Sequence, residues 1–267
     1  MGSLVVGSLG EVRSNEELRA RFLDTVAHAL RRPGMFAIHD VDLDRFFGRL
    51  FADLCFLDGA DDREEGVRNA LTWYGQMGVA GPFRAAFGRD GDFRGEVASV
   101  WAEILTTSGY CTIAGSPVDM PWESLLDTVT EFDEQDARAS DVRDRLGQPT
   151  LVIDDRVYCY APADYHLPWV FCDFVFDRRE AYVYGTGRND ESFDPDPLLR
   201  NVRVPSDTFR DGLVLTAYGK LVRWGPQWWV SHASEPAYAE VEHLASRVRQ
   251  VTLEDHARAN VGRSARR

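Results

Sequence analysis

Cys159, His166 and Asp173 are residue types that together make a nucleophile at neutral pH. A thiol would attack, an imidazole would take its proton, and a carboxylate would orient the imidazole. Chain order is no obstacle, because such sets are defined by geometry. Asp173 stands out within WVFCDFVFDRREAYVYG, residues 169–185, where it sits among Phe171, Phe174 and Phe176. A carboxylate buried there must be hydrogen-bonded, paired or protonated. Strand alternation puts Phe171, Asp173 and Val175 on one face and Cys172, Phe174 and Phe176 on the other, so the adjacent thiol points away. No glycine-rich elbow or oxyanion-hole motif surrounds Cys159 or Cys172. We therefore expect Asp173 to be structural, held by hydrogen bonds or by a cation such as Arg156. The Cys-His-Asp set is the alternative.

Three other segments carry residues of interest. The acidic stretch GRNDESFDPDPLL offers Asp190, Glu191, Asp194 and Asp196. It lacks the ligand spacing, glycine and distal glutamate of an EF-hand, so a solvated loop and no metal site are expected. Trp224, Trp228 and Trp229 in WGPQWWV, with Trp169, are candidates for a binding surface, since tryptophan is favoured at binding hot spots. Tryptophan is also an ordinary core residue, and burial is the first expectation. RRPGMF, Arg31 to Phe36, is similar to the RPGMY segment of the ATPase region of type II topoisomerases. The glycine boxes and the catalytic helix of that region have no counterpart in this chain, so ATP binding is not expected. A helix followed by RRPGM[FY] also resembles uncharacterised actinobacterial proteins that have no established activity. That resemblance covers mainly the first half; it implies a similar N-terminal fold and transfers no active site. P-loop, GxGxxG, HExxH, GxSxG and zinc-ligand spacings do not occur, and no cofactor is expected.

Composition narrows the class. The chain has 267 residues, 44% of them hydrophobic, enough to bury a core and to exclude wholesale disorder. Its net charge of -13 opposes the field of a nucleic acid and would suit a basic protein partner. No run of about 18 apolar residues predicts a membrane span. The apolar N-terminal stretch lacks a basic segment before it, so no export signal is expected. Cys55, Cys111, Cys159 and Cys172 are widely spaced and are expected to be reduced thiols in a cytoplasmic protein.

These residues must be positioned by two kinds of element. Ser14 and Glu17 form a capping-box pattern, and Leu18, Phe22, Val26 and Leu30 mark one helix face before Pro33-Gly34 stops it. Further helices are predicted after Asp42, from Arg63 to Tyr74, from Pro82 to Phe87, from Glu96 to Thr107, and after Pro121. The second half changes to strand period. One hairpin is predicted around Asp154-Asp155, and a second joins Trp169–Phe176 to Ala181–Tyr184 across DRRE, both in one antiparallel sheet. Val202–Val204, Leu213–Thr216 and Lys220–Trp224 are further strand candidates, and Glu235–Val251 reads as a closing helix. The fold class is thus α+β: a helical part (14–135), a charged linker (136–149), an antiparallel sheet plus helix (150–253) and a basic tail (254–267).

Taken together, the sequence predicts a soluble cytoplasmic binding protein, an immunity or defence partner of another protein. The alternative is a small-molecule enzyme, a hydrolase or transferase of specialised metabolism, with Asp173, His166 and Cys159 on the C-terminal sheet.

Overall fold

The structure is a computed structural model. It describes residues 14–231 except 76, 89–91, 114, 134, 176–177, 184–187, 194, 226 and 229–230. The fold is α+β, with helices concentrated in the N-terminal half and an antiparallel sheet after them. The chain divides into two compact units. Unit 1 is Met1–Ala85, Arg89–Ala114 and Val152–Asp155; unit 2 is Ala86–Gly88, Gly115–Leu151 and Arg156–Arg267.

Unit 1 is built on α1 (Asn15–Arg31), α2 (Asp40–Asp58), α3 (Asp61–Leu71), α4 (Ala80–Phe87, ending in unit 2) and α5 (Arg94–Thr107). Ser14 Oγ accepts the Glu17 N–H at 3.1 Å and starts α1 where the sequence predicts. The four-residue apolar period of α1 and the broader stripe of α2 bury Val26, Leu30, Leu43, Phe47, Leu50, Phe51 and Leu54. They meet the apolar face of α5, where Trp101 stacks on Phe47 with ring centroids 6.1 Å apart. Asp44 of α2 is drawn into this core: Oδ1 accepts the Trp101 indole N–H at 2.7 Å and Oδ2 the Val79 N–H at 3.0 Å. Gly78, at φ 61°, is obligatory there, because a Cβ would stand 2.0 Å from Asp44 Oδ2.

Unit 2 opens with α6 (Trp122–Thr130) and α7 (Ala139–Leu146). Residues 136–149, expected as a charged linker, carry α7, which buries Ala139, Val142 and Leu146. Asp196, expected in a solvated loop, caps this helix by accepting the Ser140 N–H at 2.7 Å and the Ser140 hydroxyl at 2.8 Å. The charges that suggested a linker are therefore largely the capping and outward faces of a short amphipathic helix.

A five-stranded antiparallel sheet follows, in the order β1-β2-β3-β6-β7, with β1 Leu151–Ile153, β2 Val157–Tyr160, β3 Val170–Phe174, β6 Leu199–Arg203 and β7 Leu213–Leu215. Both edges of β3 are occupied, by β2 on one side and β6 on the other. That leaves no room for the second hairpin expected across DRRE. Instead β4 (Arg178–Val183) starts inside DRRE and pairs with β5 (Arg188–Phe193) in a separate two-stranded sheet. The acidic segment expected as a loop supplies β5.

Lys220–Trp224, expected as a strand, lies in α8 (Ala217–Trp224). Thr216 decides this: its Oγ1 accepts the Gly219 N–H at 3.1 Å and nucleates a helix at the end of β7. Gly219 is required at that junction, since a Cβ would lie 2.0 Å from the Arg200 carbonyl oxygen. The predicted closing helix Glu235–Val251 and the basic tail lie outside the described residues.

Candidate functional site

Asp173 lies at the centre of the five-stranded sheet with 0% exposure. Its register partners are Val157 on β2 and Asn201 on β6. Asn201 Nδ2 donates to Asp173 Oδ2 at 2.6 Å. Arg203, two residues further along β6, reaches across diagonally. Its Nε donates to Oδ2 at 2.8 Å and its Nη2 to Oδ1 at 2.9 Å, a two-pronged match of guanidinium to carboxylate. The Arg203 guanidinium also lies 4.2 Å from the Phe171 ring centroid, directly along the strand from Asp173. The cation that holds Asp173 is thus Arg203, not Arg156.

A β-bulge extends the cluster. Phe174 pairs with Leu199 while Asp173 pairs with Asn201, so Arg200 is the extra residue of β6. The bulge turns Arg200 so that its Nε donates to Asn201 Oδ1 at 3.0 Å, and its guanidinium lies 4.3 Å from the Phe87 ring centroid. Each partner orients the next: Arg200 fixes Asn201, and Asn201 with Arg203 fixes Asp173. Asn201, Arg200 and Arg203 did not emerge from the sequence as partners. The available signal was LRNVR, a strand with three polar side chains among two apolar ones.

The other members of the nucleophile set do not join this cluster. Cys159 is fully buried, on the same sheet face as Asp173 by its register with Phe171. His166 is exposed in the loop before β3, where its N–H donates to Asp164 Oδ1 at 3.0 Å. Among the described residues its ring hydrogen-bonds neither Cys159 nor Asp173. Cys172 faces away, and burial, aided by the nearby negative charge of Asp173, pushes its thiol well up. Burial likewise raises Cys55 and Cys111, the opposite of what a nucleophilic cysteine needs. All four cysteines are free.

The tryptophans divide. Trp169 is buried at 2%, whereas Trp224 at the end of α8 is 49% exposed. Trp224 meets Trp228 with ring centroids 5.9 Å apart, and Lys220 and Arg223 each place a cation 5.8 Å from the Trp224 ring centroid. Trp229 lies outside the described residues.

Unit 1 contains a cavity of about 520 Å³, within the size range of ligand sites. One wall is RRPGMF. Pro33 has no N–H to continue α1, and the chain turns through a 3₁₀ segment at Pro33–Met35, exposing Arg31, Arg32, Gly34 and Met35. Arg94 steadies this turn by donating to the Ala37 carbonyl at 3.2 Å, while Asp92 holds its guanidinium at 2.8 and 2.9 Å. Val152, Asp154 and Asp155 of the β1–β2 hairpin also line it. Asp154 and Asp155 both have φ 53°, and among the described residues they are the only non-glycine residues at positive φ. Two consecutive left-handed residues mark a hairpin turn that favours Asn-Gly. The two motifs were legible separately; their meeting across one cavity was not.

No protein-family model, curated protein or solved structure matches the chain. Among the described residues no helix is long and apolar enough to cross a membrane.

Proposed function

We propose that this chain is a cytoplasmic, non-catalytic binding protein whose partner is a basic protein, in the manner of an immunity or defence pair. The observation that carries this reading is Trp224, half exposed at the end of α8 and set against Trp228, in a protein that buries Trp101 and Trp169 almost completely. A large aromatic side chain left in water next to a second one is what a hot spot needs before its partner arrives. The net charge of -13 would draw in a basic partner and accelerate encounter at low salt. The hydrogen bonds to Asp173 also support the reading, because they run to its own sheet and brace it.

The test uses basic proteins encoded beside this gene, each purified and titrated against the full chain by calorimetry. A one-to-one complex is expected, weakened by added salt and by at least about tenfold on Trp224→Ala, with unfolding temperature unchanged. If none of these proteins binds, or if the complex ignores Trp224→Ala, the reading fails.

A further inference from the structure

The cavity in unit 1 joins three independent observations. Its lining includes two basic residues, Arg31 and Arg32, and two acidic ones, Asp154 and Asp155. Among the described residues Arg31, Arg32 and Asp155 make no ion pair and no side-chain hydrogen bond, whereas the charge of Asp154 acts on the Arg94 guanidinium and helps to raise its pKa. Asp155 stands on backbone that disfavours it, since the second of two left-handed turn positions favours glycine, whereas Asp154 holds the first, which Asn and Asp commonly fill. Strain of this kind persists where a side chain is wanted in a particular place.

The charge pattern selects the ligand. A polyanion such as a nucleotide would be attracted by Arg31 and Arg32 but repelled by Asp154 and Asp155. A polyamine would meet the reverse. A molecule carrying one cationic and one anionic end satisfies both sets of charges, and Met35 and Val152 add apolar lining. We propose that this cavity binds a zwitterion of the amino-acid class, a short peptide with both ends free. Its carboxylate lies against Arg31 and Arg32, and its ammonium lies against Asp155. This site shares no residue with the Trp224 group and stands whether or not a protein partner docks there.

The test titrates the ¹⁵N-labelled full chain with the dipeptide Ala-Leu, and with its N-acetylated and C-amidated forms. Saturable amide shifts are expected at Arg31, Arg32, Gly34, Met35, Asp154 and Asp155. Blocking either end should weaken binding by at least about tenfold. Asp155→Gly suits the turn, so that variant should unfold at a higher temperature yet lose at least about tenfold in affinity. Arg31→Gln with Arg32→Gln should lose affinity at unchanged stability. The proposal is overturned by an absence of saturable shifts up to roughly 10 mM dipeptide, by blocked dipeptides that bind as well as the free one, or by a turn variant that keeps its affinity. A turn variant that is less stable than the native chain would remove the strain on which the assignment of Asp155 rests.

Discussion

The molecule contains two arginine–aspartate assemblies that look alike in composition and differ in every physical respect. In unit 2, Asp173, Arg203, Asn201 and Arg200 are at most 7% exposed, and the carboxylate receives three hydrogen bonds from its own sheet. In unit 1, Arg31, Arg32, Asp154 and Asp155 line a solvent-accessible cavity, with both acids at positive φ and Asp155 at a position that favours glycine. A sealed assembly must be complete in the folded chain, because each missing partner leaves a desolvated charge. An open one can wait for a ligand, because water solvates it meanwhile. The difference locates structure in the first and recognition in the second, although the sequence draws the eye to the first.

The largest effect should follow from breaking the sealed assembly. Arg203→Met keeps the length and apolar stem of the side chain but leaves Asp173 without its cation. We expect a loss of about 3–5 kcal/mol in urea unfolding, the penalty for an uncompensated buried charge. A loss below about 1 kcal/mol would mean that water or another cation reaches Asp173, and the assembly is not sealed.

Asp173→Asn is gentler. It keeps the shape and part of the hydrogen bonding, turns one amide donor toward existing donors, and should cost about 1–3 kcal/mol. The variant should fold and keep the affinity of the native chain for its partner. If an enzymatic activity is found and a folded Asp173→Asn protein has lost it by orders of magnitude, Asp173 belongs to chemistry after all.

The two assemblies were unequally legible for physical reasons. The helices of unit 1 could be read because Leu18, Phe22, Val26 and Leu30 repeat with the helical period, and because Ser14 and Pro33 bound them locally. The Asp154-Asp155 hairpin was readable for the same reason: its signal is contained within a few neighbouring residues. Arg203 could not be identified as the partner of Asp173, since the two lie 30 residues apart and meet only through the register of β3 and β6. The pairing of β4 with β5 was missed because DRRE has the composition of a turn; only the occupation of both β3 edges excludes it. KLVRW has strand-like composition, yet the Thr216 cap and the bare Gly219 backbone against Arg200 make it helical. Tertiary contact overrode local propensity in each case.

A smaller effect, of opposite sign, is expected at the open assembly. Asp155→Gly relieves one left-handed residue, worth about 1–2 kcal/mol, and gives back about 0.5–1 kcal/mol in chain entropy. The net expectation is a stabilisation of roughly 0.5–1 kcal/mol, visible as a raised melting temperature. Destabilisation would show that Asp155 makes a favourable contact in the free protein, and the contrast between the two assemblies would narrow.

Asp44 sharpens the comparison further, as a desolvated carboxylate whose direct donors are neutral. The Trp101 indole and the Val79 amide hydrogen-bond it, but burial outweighs them and raises its pKa above the ordinary carboxylate value, with Asp40 adding to the rise. The folded state therefore binds the Asp44 proton more tightly than the unfolded chain does. Stability from this group is full below the unfolded pKa of about 3.9 and is lost as pH rises through the higher folded pKa. Asp58 has the opposite sign: its hydrogen bond to Arg19 holds its pKa down, so its contribution appears as pH rises and is lost on acidification through the folded value. Asp44→Asn, which cannot titrate, should remove a falling component from stability plotted against pH, leaving the variant's curve rising more steeply than the native one just above pH ~4. Its constant cost is one hydrogen bond, because the amide group turns a donor toward either Trp101 or Val79. Parallel native and variant curves across that window would mean that the indole and amide donors fully compensate burial.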